Sequence, residues 1–353
     1  MEELREKIAR LDRELLERAA ERVELARQLG QWKRAHGLPT VDFVQERTVI
    51  ERARAIAADL ALDASLAEDL VARLVRASVS VQDEERLRLS ALGAGRTAVV
   101  AGGAGRMGRW LDRFLSSQGY ATGVLDPAAD PAENHLARAA LGGADLVVCS
   151  TPPATTAVLY DHWCAAPPPG VIVDVASIKT PLVEPIRRLQ RAGGRVASIH
   201  PMFGPRIELL RDADVVICDT GDADAAAVVE QLFSPTTAKL VRLPLEEHDR
   251  IMADLLSLAH GAAIAFALAL PEAEHVVRST TFRMLETLAG AVVRESADVY
   301  YEIQAMNPHS QAALGRLRAA LERVADAVER RDSAAFRGLM DEGRRRTPGR
   351  EAP

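Results

Sequence analysis

The stretch TAVVAGGAGRMG at residues 97–108 decides the fold. Its first five residues form a short apolar run, as expected of a strand that is buried on both faces. Gly103, Gly105 and Gly108 follow with the spacing G-x-G-x-x-G, and residues 107–117 form an amphipathic segment. A strand, a glycine-rich turn and a helix in this order predict a dinucleotide-binding unit in a parallel, doubly wound sheet.

An acidic residue extends this pattern. Asp126 ends the next predicted strand, 23 residues after Gly103. A carboxylate at this position accepts a hydrogen bond from a ribose 2′-hydroxyl and repels a 2′-phosphate. The residues that follow it, Pro127 to Ala129, contain no arginine to offset that repulsion. The sequence therefore predicts NAD, rather than NADP, as the cofactor.

The predicted secondary structure divides the chain into three parts. Residues 2–88 show no strand pattern and predict three helices, at residues 2–34, 42–59 and 65–88. Strand and helix patterns then alternate, with later strands expected at residues 145–149, 170–175, 195–199, 214–218 and 239–243. After Pro244 only helices are predicted, at residues 246–270, 273–293 and 307–330. Strands that alternate with helices are typical of a parallel α/β sheet.

We therefore expect a multi-domain protein. An all-α helical bundle (1–90) comes first, then an α/β Rossmann-like domain (96–243), an all-α domain (244–342) and an arginine-rich tail (343–353). A 33-residue helix with two shorter ones makes a poor monomeric core, and the same holds for the last helices. We expect both helical parts to contribute to a homodimer interface.

Composition excludes several classes of protein. The 353 residues are 48% hydrophobic and 27% charged, the balance of a soluble globular chain, and a net charge of −6 gives no basic surface for nucleic acid. The three cysteines form no CxxC pair, which argues for a reducing compartment and against disulfides or a metal cluster. No signal peptide follows Met1, and the most apolar stretch, residues 259–270, is shorter than the ~20 residues of a membrane span. A cytoplasmic protein with small-molecule partners is expected.

Four further segments carry a family resemblance. They are SIHPMFGP at residues 198–205, STP at 150–152, DVASIK at 174–179, and the pair His248-Asp249 with His260 twelve residues after His248. Together they resemble prephenate dehydrogenases. With the helical N-terminal part, the chain up to about residue 340 resembles the bifunctional chorismate mutase–prephenate dehydrogenase family.

The resemblance implies an NAD-dependent oxidative decarboxylation of prephenate to 4-hydroxyphenylpyruvate, a step of tyrosine biosynthesis. It makes His200 the base, because a neutral imidazole near pH 7 suits removal of the 4-hydroxyl proton. Ser150 would orient that hydroxyl, and His260 would contact the substrate. His248 is interpreted as an anchor of a helix and Lys179 as a support of its loop. The implied cofactor-binding residues are Gly103, Gly105, Arg106, Met107, Gly108, Asp126, Thr151 and Pro152.

The resemblance also implies a mutase site that rearranges chorismate to prephenate. This rearrangement needs no nucleophile, only cations for two carboxylates and donors for an ether oxygen. The family pattern falls on Arg5, Arg22, Lys33, Asp42, Glu46, Ser78 and Gln82. Arg22 and Lys33 are eleven residues apart, about 20° around a helix, and Lys33 is one of only four lysines. Arg5 lies about 100° from that stripe, in agreement with the family arrangement in which it reaches the partner's site.

Two positions depart from the family pattern. Gln45 stands where the mutase family has an arginine, and Ala291 stands where the dehydrogenases have a carboxylate-binding arginine. Arg294, one turn later, and Arg283, two turns earlier, are candidates to replace that arginine, and Gln45 remains a candidate for substrate binding. The segment before His260, residues 256–259, also lacks the usual polar groups.

Three hypotheses remain open at this stage. The chain is a bifunctional enzyme of tyrosine biosynthesis, or it acts on the 4-amino-4-deoxy analogues of both substrates and forms 4-aminophenylpyruvate for a secondary metabolite. In the third hypothesis, a dehydrogenase carries a non-catalytic mutase-like bundle for dimerisation or regulation.

Overall fold

The computed structural model describes residues 1–36, 43–207, 210, 213–272 and 277–347, with backbone alone for residues 43–47. The chain divides into two compact units. The first unit comprises Met1–Thr151, Tyr160–Ala176 and Arg188–Arg242. The second unit comprises Pro152–Leu159, Ser177–Arg187 and Leu243–Pro353.

Three helices open the first unit, as predicted. They are α1 (Glu2–Ala35), α2 (Phe43–Asp59) and α3 (Ala64–Ser90). Asp63 caps α3 by accepting a hydrogen bond from the backbone N–H of Leu66. Both α1 and α2 pack against α3.

The end of α3 belongs to the core of the sheet domain. Leu87 is buried in one cluster with Leu111, Phe114 and Tyr120. Four residues earlier, Asp83 accepts a hydrogen bond of 2.7 Å from the hydroxyl of Thr237. The first three helices and the sheet therefore form one continuous structure.

The first unit contains a seven-stranded sheet with the strand order β2-β1-β3-β4-β5-β6-β7. The strands are β1 (Thr97–Ala101), β2 (Ala121–Leu125), β3 (Leu146–Cys149), β4 (Val171–Asp174), β5 (Arg195–Pro201), β6 (Asp214–Asp219) and β7 (Lys239–Pro244). Between them along the chain lie α4 (Arg106–Ser117), α5 (Pro131–Ala140), α6 (Pro153–Trp163), α7 (Val183–Arg191) and α8 (Ala223–Phe233). The α/β domain predicted from the sequence is confirmed.

One strand pair differs from the expected parallel arrangement. Strands β1 to β5 pair in parallel, but β5 and β6 are antiparallel, with His200 opposite Val216. A parallel pair needs a crossover connection, usually a helix. The described residues between β5 and β6 contain no helix, so the chain turns back beside β5.

Strand order determines where a ligand binds this sheet. The chain leaves β1 for β2 on one side and later returns to β3 on the other side of β1. In open α/β sheets, ligands bind at such a reversal, outside the carboxyl ends of the two strands. Residues 102–108 and 150–152 follow those two ends.

The second unit is helical after residue 244. Its helices are α9 (Leu245–Met252), α10 (Ala259–Ala269), α11 (Thr280–Val293), α12 (Ala297–Met306), α13 (Ser310–Glu329) and α14 (Ser333–Arg346), and a π-helical segment, Ala253–Leu258, joins α9 to α10. Two of them, α12 and α14, were not expected from the sequence. Asp332 caps α14, which remains helical to Arg346 where a frayed tail was expected from residue 343.

The helix Leu245–Ala269 is longer than the apolar stretch on which the sequence argument rested. It has 25 residues and a mean hydropathy of 1.8 in its most apolar window, enough by length and composition to cross a membrane. A single helix of this kind is weak evidence for a membrane span, because core helices of soluble proteins pass the same test. Only 22% of the window is buried within this chain, so its apolar surface is available to a partner.

Candidate active sites

A tight glycine turn lies at the carboxyl end of β1. Gly102 has φ +80°, and a Cβ there would lie 2.5 Å from the carbonyl oxygen of Ser150. A Cβ at Gly108 would lie 2.1 Å from the carbonyl oxygen of Gly102, and one at Gly103 would lie 2.7 Å from Cγ1 of Val124. We call the turn at residues 102–108 the glycine cradle. Side chains at these three glycine positions would fill it. The turn after β1 therefore lies directly against the turn after β3.

This cradle opens onto the N-terminus of α4, which begins at Arg106. The first N–H groups of a helix and its dipole bind anionic phosphate groups. The predicted Met107 lies on the same first turn, but its side chain is partly buried and packs against the core of the sheet domain. Met107 can therefore contribute its backbone N–H, rather than its side chain, to a phosphate site at this turn.

Asp126 lies beside the same turn. Its carboxylate accepts hydrogen bonds from the backbone N–H groups of Ala104, at 3.1 Å, and Ala128, at 2.9 Å. Asn134 of α5 braces the position, because its side chain exchanges hydrogen bonds with the backbone N–H and carbonyl of Asp126. A glycine cradle, a helix N-terminus and a ribose-binding carboxylate together fit NAD.

His200 and Ser150 lie at the same edge of the sheet as this cradle. His200 is the penultimate residue of β5 and only 4% exposed. Ser150 directly follows β3, and its backbone N–H donates to the carbonyl of Ala101 at 2.7 Å. Since β4 separates β3 from β5, the axes of these two strands are about 10 Å apart. Both side chains therefore border the region outside the carboxyl ends of the strands.

An aromatic ladder holds the loop after His200. The ring of Phe203 contacts the ring of Trp110 edge to face, with the ring centroids 5.0 Å apart. Trp110 stacks on Phe114, and Phe114 stacks on Phe233, again with 5.0 Å between the centroids. Trp110 and Phe114 belong to α4, so the helix that begins at the glycine turn also supports the loop of His200.

Cys149, next to Ser150, is not a nucleophile. Its side chain is buried between β1 and β4 within the sheet, close to Tyr160 and Asp174. Burial, followed by the nearby charge of Asp174, raises the pKa of the Cys149 thiol well above its usual range. The thiol therefore stays protonated at neutral pH.

Part of the predicted mutase set lies together between α1 and α3. The guanidinium of Arg22 donates to the hydroxyl of Ser78 and to the carbonyl of Leu74, both at 2.9 Å. The amide of Gln82 donates to the carbonyl of Ala26 at 2.5 Å. Ser78 and Gln82 are both buried. Lys33 lies on α1, partly buried and on the same side of the helix as Arg22.

A buried carboxylate that the sequence analysis missed braces this site. Glu85 lies on α3, close to one turn after Gln82, and is 8% exposed. It accepts a hydrogen bond of 2.7 Å from Gln31 and forms ion pairs with Arg34, at 3.0 Å, and Arg27, at 3.5 Å. All three partners belong to α1. The spacing of Glu85 from Gln82 was the available signal in the sequence.

Arg5 does not join this group. Arg5 is exposed near the start of α1 and forms an ion pair of 3.7 Å with Glu2. Asp42 and the side chains of Gln45 and Glu46 lie outside the described part of the chain.

His260 and the candidate arginines belong to the second unit. The ring of His260 lies on the ring of Tyr300, with the centroids 4.4 Å apart, and burial lowers the pKa of His260. Arg294, at the end of α11, folds back so that a Cβ at Gly290 would lie 2.6 Å from its Nη2 atom. Its guanidinium therefore lies over Gly290, one residue before Ala291. Arg283 is exposed on the same helix.

His248 and Asp249 form a buried connection within the second unit. Nδ1 of the fully buried His248 lies 2.7 Å from the Asp249 carboxylate, which also accepts hydrogen bonds from the backbone N–H groups of Lys179 and Thr180. Burial, the largest influence, raises the pKa of Asp249, but these hydrogen bonds together hold it below its usual range. Asn307 donates to the Asp249 carbonyl at 2.7 Å. We therefore assign His248 a structural role.

The fold and these two groups of residues define a class of protein. One site is a group of cationic and amide side chains between two helices, and the other is the nucleotide site of a dehydrogenase. Among the residues that the structure describes, no group of three or more His, Cys, Asp or Glu side chains is arranged to hold a metal ion.

Comparison with known proteins agrees with this division. Residues 4–83 match the family model of chorismate mutase type II, and residues 108–242 match that of the nucleotide-binding domain of prephenate dehydrogenase. The T-protein of Enterobacter agglomerans is 29% identical over 344 residues, which cover 94% of this chain and 89% of that protein. A 4-amino-4-deoxyprephenate dehydrogenase of Streptomyces pristinaespiralis is 30% identical over 265 residues, 69% of this chain and 88% of that protein.

Solved structures show the same fold. The prephenate dehydrogenase of A. aeolicus, solved with hydroxyphenyl propionate and NAD⁺, superposes with a TM-score of 0.56 at 15% identity and covers 72% of this chain and 98% of its own. The chain belongs to the T-protein family, in which a chorismate mutase is joined to a prephenate dehydrogenase.

Proposed function

We propose that this chain rearranges chorismate to prephenate and then oxidises prephenate with NAD to 4-hydroxyphenylpyruvate, in tyrosine biosynthesis. The observation that carries the proposal is the occurrence of both residue groups in one compact unit. Arg22, Ser78 and Gln82 meet between α1 and α3, and α3 continues into the core of the domain that carries the glycine cradle. We propose domains that begin at residues 1, 96 and 244. The last domain extends past residue 342, after which the tail was expected to begin, to the end of α14 at Arg346.

In the mutase site, this chain supplies charge and hydrogen bonds but no nucleophile. Arg22 and Lys33 bind the two carboxylates of chorismate, and Gln82 donates to the ether oxygen as negative charge develops there. The Arg22–Ser78 contact already orients the guanidinium before substrate binds. Glu85 balances the positive charge of Arg27 and Arg34, so these side chains hold α1 against α3. Asp42, Gln45 and Glu46 are assigned to the same site by the family pattern.

In the dehydrogenase site, the residues of this chain handle a proton and orient the substrate. NAD, held at Gly103, Gly105, Arg106, Gly108 and Asp126 with Thr151 and Pro152 nearby, supplies the hydride acceptor. His200 removes the 4-hydroxyl proton as the C4–H bond breaks and the ring carboxylate leaves as CO₂. Ser150 orients the 4-hydroxyl toward His200. Aromatisation of the ring makes the step irreversible.

We assign substrate binding in the second unit to His260 and Arg294. Arg294 is favoured over Arg283 because its guanidinium already lies over Gly290, beside the position where the family carries an arginine. A charged hydrogen bond to a carboxylate contributes about 1.5–3 kcal/mol, enough to replace the missing contact.

A homodimer completes the proposal. Leu4, Ile8, Leu11 and Leu15 recur on α1 at alternating steps of four and three residues, and each is 56% to 66% exposed. This spacing is that of a helix seam packed against a second helix. Arg5 lies in the same segment, so pairing with a second copy would bring it to the partner's mutase site. We propose a cytoplasmic enzyme whose other partners are its small-molecule substrates.

A second candidate function has its own support. The 4-amino-4-deoxyprephenate dehydrogenase of S. pristinaespiralis is as similar to this chain as the T-proteins are, although over a smaller part of it. The amino series uses the same two reactions, with an amino group in place of the 4-hydroxyl group. Ala291 and the segment 256–259, in which Ser257 is the single polar residue, would then reflect a different substrate.

An assay of NADH formation distinguishes between the hydroxy and the amino substrates. Prephenate and 4-amino-4-deoxyprephenate are supplied in parallel with NAD⁺, and absorbance is followed at 340 nm. We expect a higher kcat/KM for prephenate, because the site retains Ser150 and His200 for a hydroxyl group. Turnover confined to the amino substrate would contradict the proposal and establish the second candidate.

Mixed dimers test the mutase site and the role of Arg5 together. Arg5→Ala and Lys33→Ala should each lower chorismate turnover about 100-fold or more. Co-expression of the two variants should restore about a quarter of wild-type activity, because half of the random dimers are mixed and each mixed dimer has one intact site of two. The measurement is chorismate consumption by the purified mixture.

Absence of restored activity would show that Arg5 does not act across a dimer. A wild-type protein that does not consume chorismate would instead show that the bundle is a dimerisation or regulatory module, the third hypothesis from the sequence.

The two candidate arginines form a matched pair of variants on α11. Arg294→Gln should raise the KM for prephenate about 10- to 150-fold, through loss of a charged hydrogen bond of about 1.5–3 kcal/mol. Arg283→Gln removes the same charge from an exposed position and should change the KM less than about threefold. Steady-state kinetics at saturating NAD⁺ measures the KM of both variants. A larger increase in KM for Arg283→Gln than for Arg294→Gln would assign carboxylate binding to Arg283.

A further inference from the structure

One face of α12 packs along the helix that contains His260. Tyr300 and Gln304 are one turn apart and so share a face of α12. The Tyr300 ring contacts the His260 ring, and the Gln304 side-chain amide donates to the Ser257 carbonyl at 3.3 Å. Gln304 therefore lies next to the turn that precedes His260, where residues 256–259 provide few polar side chains of their own.

That turn is the π-helical segment Ala253–Leu258. π-helical turns inside α-helices are frequent at functional sites. The hydroxyl groups of Ser257 and Ser310 are 2.6 Å apart, which fixes the turn against α13. Helix carbonyls point toward the C-terminus, so the Ser257 carbonyl points toward the level of His260. The Gln304 amide, which donates to this carbonyl, therefore lies at the height of His260 along the helix axis.

Two buried polar atoms at this place are complementary. Nδ1 of His260 and Oε1 of Gln304 are both buried, and neither has a hydrogen-bond partner among the described residues. The orientation of the Gln304 amide is determined, because the Ser257 carbonyl requires the N–H side. An imidazole N–H is a donor and an amide oxygen is an acceptor, and buried groups of this kind are normally paired.

We propose that Gln304 is a positioning residue that accepts a hydrogen bond from Nδ1–H of His260. The bond holds His260 in the Nδ1–H tautomer, so that Nε2 presents a lone pair. The hydrogen bond made by one imidazole nitrogen decides the role of the other.

The tautomer determines what His260 recognises. A neutral imidazole with a lone pair at Nε2 accepts a hydrogen bond, so in the substrate site it meets a donor, a bound water or the second N–H of a 4-amino group, rather than a carboxylate. The single proton of a 4-hydroxyl group is directed to His200. Burial lowers the pKa of His260, which keeps the ring neutral at pH 7. This consequence rests on the proposed dehydrogenase function, whereas the tautomer itself does not.

The tautomer is measured by nitrogen NMR of the full-length protein labelled with ¹⁵N-histidine. The His260 signals are assigned by their loss in His260→Asn. We expect Nδ1–H in the wild type and a shift toward Nε2–H in Gln304→Met, which keeps the side-chain length but removes the acceptor. Gln304→Glu retains an acceptor oxygen and should retain the Nδ1–H tautomer.

The chain offers a matched control. Gln190 also donates its side-chain amide to a backbone carbonyl, that of Thr220 at 3.1 Å, but it lies in the first unit. Gln190→Met removes the same kind of bond and should leave the His260 signals unchanged. A wild-type His260 in the Nε2–H form, or identical His260 signals in Gln304→Met and the wild type, would overturn the proposal.

Kinetics separates positioning from a general loss of structure. Gln304→Met should raise the KM for the dehydrogenase substrate about 3- to 10-fold, the equivalent of one ordinary hydrogen bond, with kcat within about twofold. Chorismate turnover should be unchanged in both variants. An unchanged KM would overturn the role in substrate binding. A protein with no dehydrogenase activity would refute the proposed function, and the NMR result would still decide the tautomer.

Discussion

The close approach of Gly102 to the carbonyl of Ser150 is the constraint on which the dehydrogenase site depends. It places the turn after β1 against the turn after β3, at the point where the strand order reverses. A side chain at Gly102 would separate the two turns, and its positive φ is a conformation that glycine adopts without strain. The same contact brings the start of α4 beside Ser150. Under the proposed function, one piece of backbone thereby sets the position of the cofactor and of Ser150, which orients the 4-hydroxyl group.

The mutase site depends on a different constraint, the packing of α1 against α3. Arg22, Ser78 and Gln82 act as partners because hydrogen bonds join the two helices at each of them. Glu85 adds a buried charge that is balanced from α1. Since α3 ends inside the core of the sheet domain, both sites share a single structural support. The apolar face at the start of α1 is the part of this arrangement that still lacks a partner within the described chain.

Local patterns predicted most of the fold and the residues on which each proposed site is centred. The run at residues 97–108, Asp126 and the segment around His200 have short-range signals that depend on neighbouring residues in the sequence. The antiparallel pairing of β6 was not predictable in this way, because pairing direction depends on the connection rather than on the strand. Helix α12 was missed, and with it Gln304, whose meaning comes only from its contact with Ser257. Asn134 and Glu85 were missed for the same reason. A supporting residue is identified by the residue that it contacts in the folded structure.

The central claim is that one chain carries chorismate through to an aromatic product. The most direct measurement supplies the purified protein with NAD⁺ and with chorismate labelled in the carboxylate that would be lost, and follows labelled CO₂ and NADH together. The account predicts equimolar release of both, at the expense of chorismate and with no other enzyme present. Accumulation of prephenate without NADH, or chorismate that is not consumed, would contradict it.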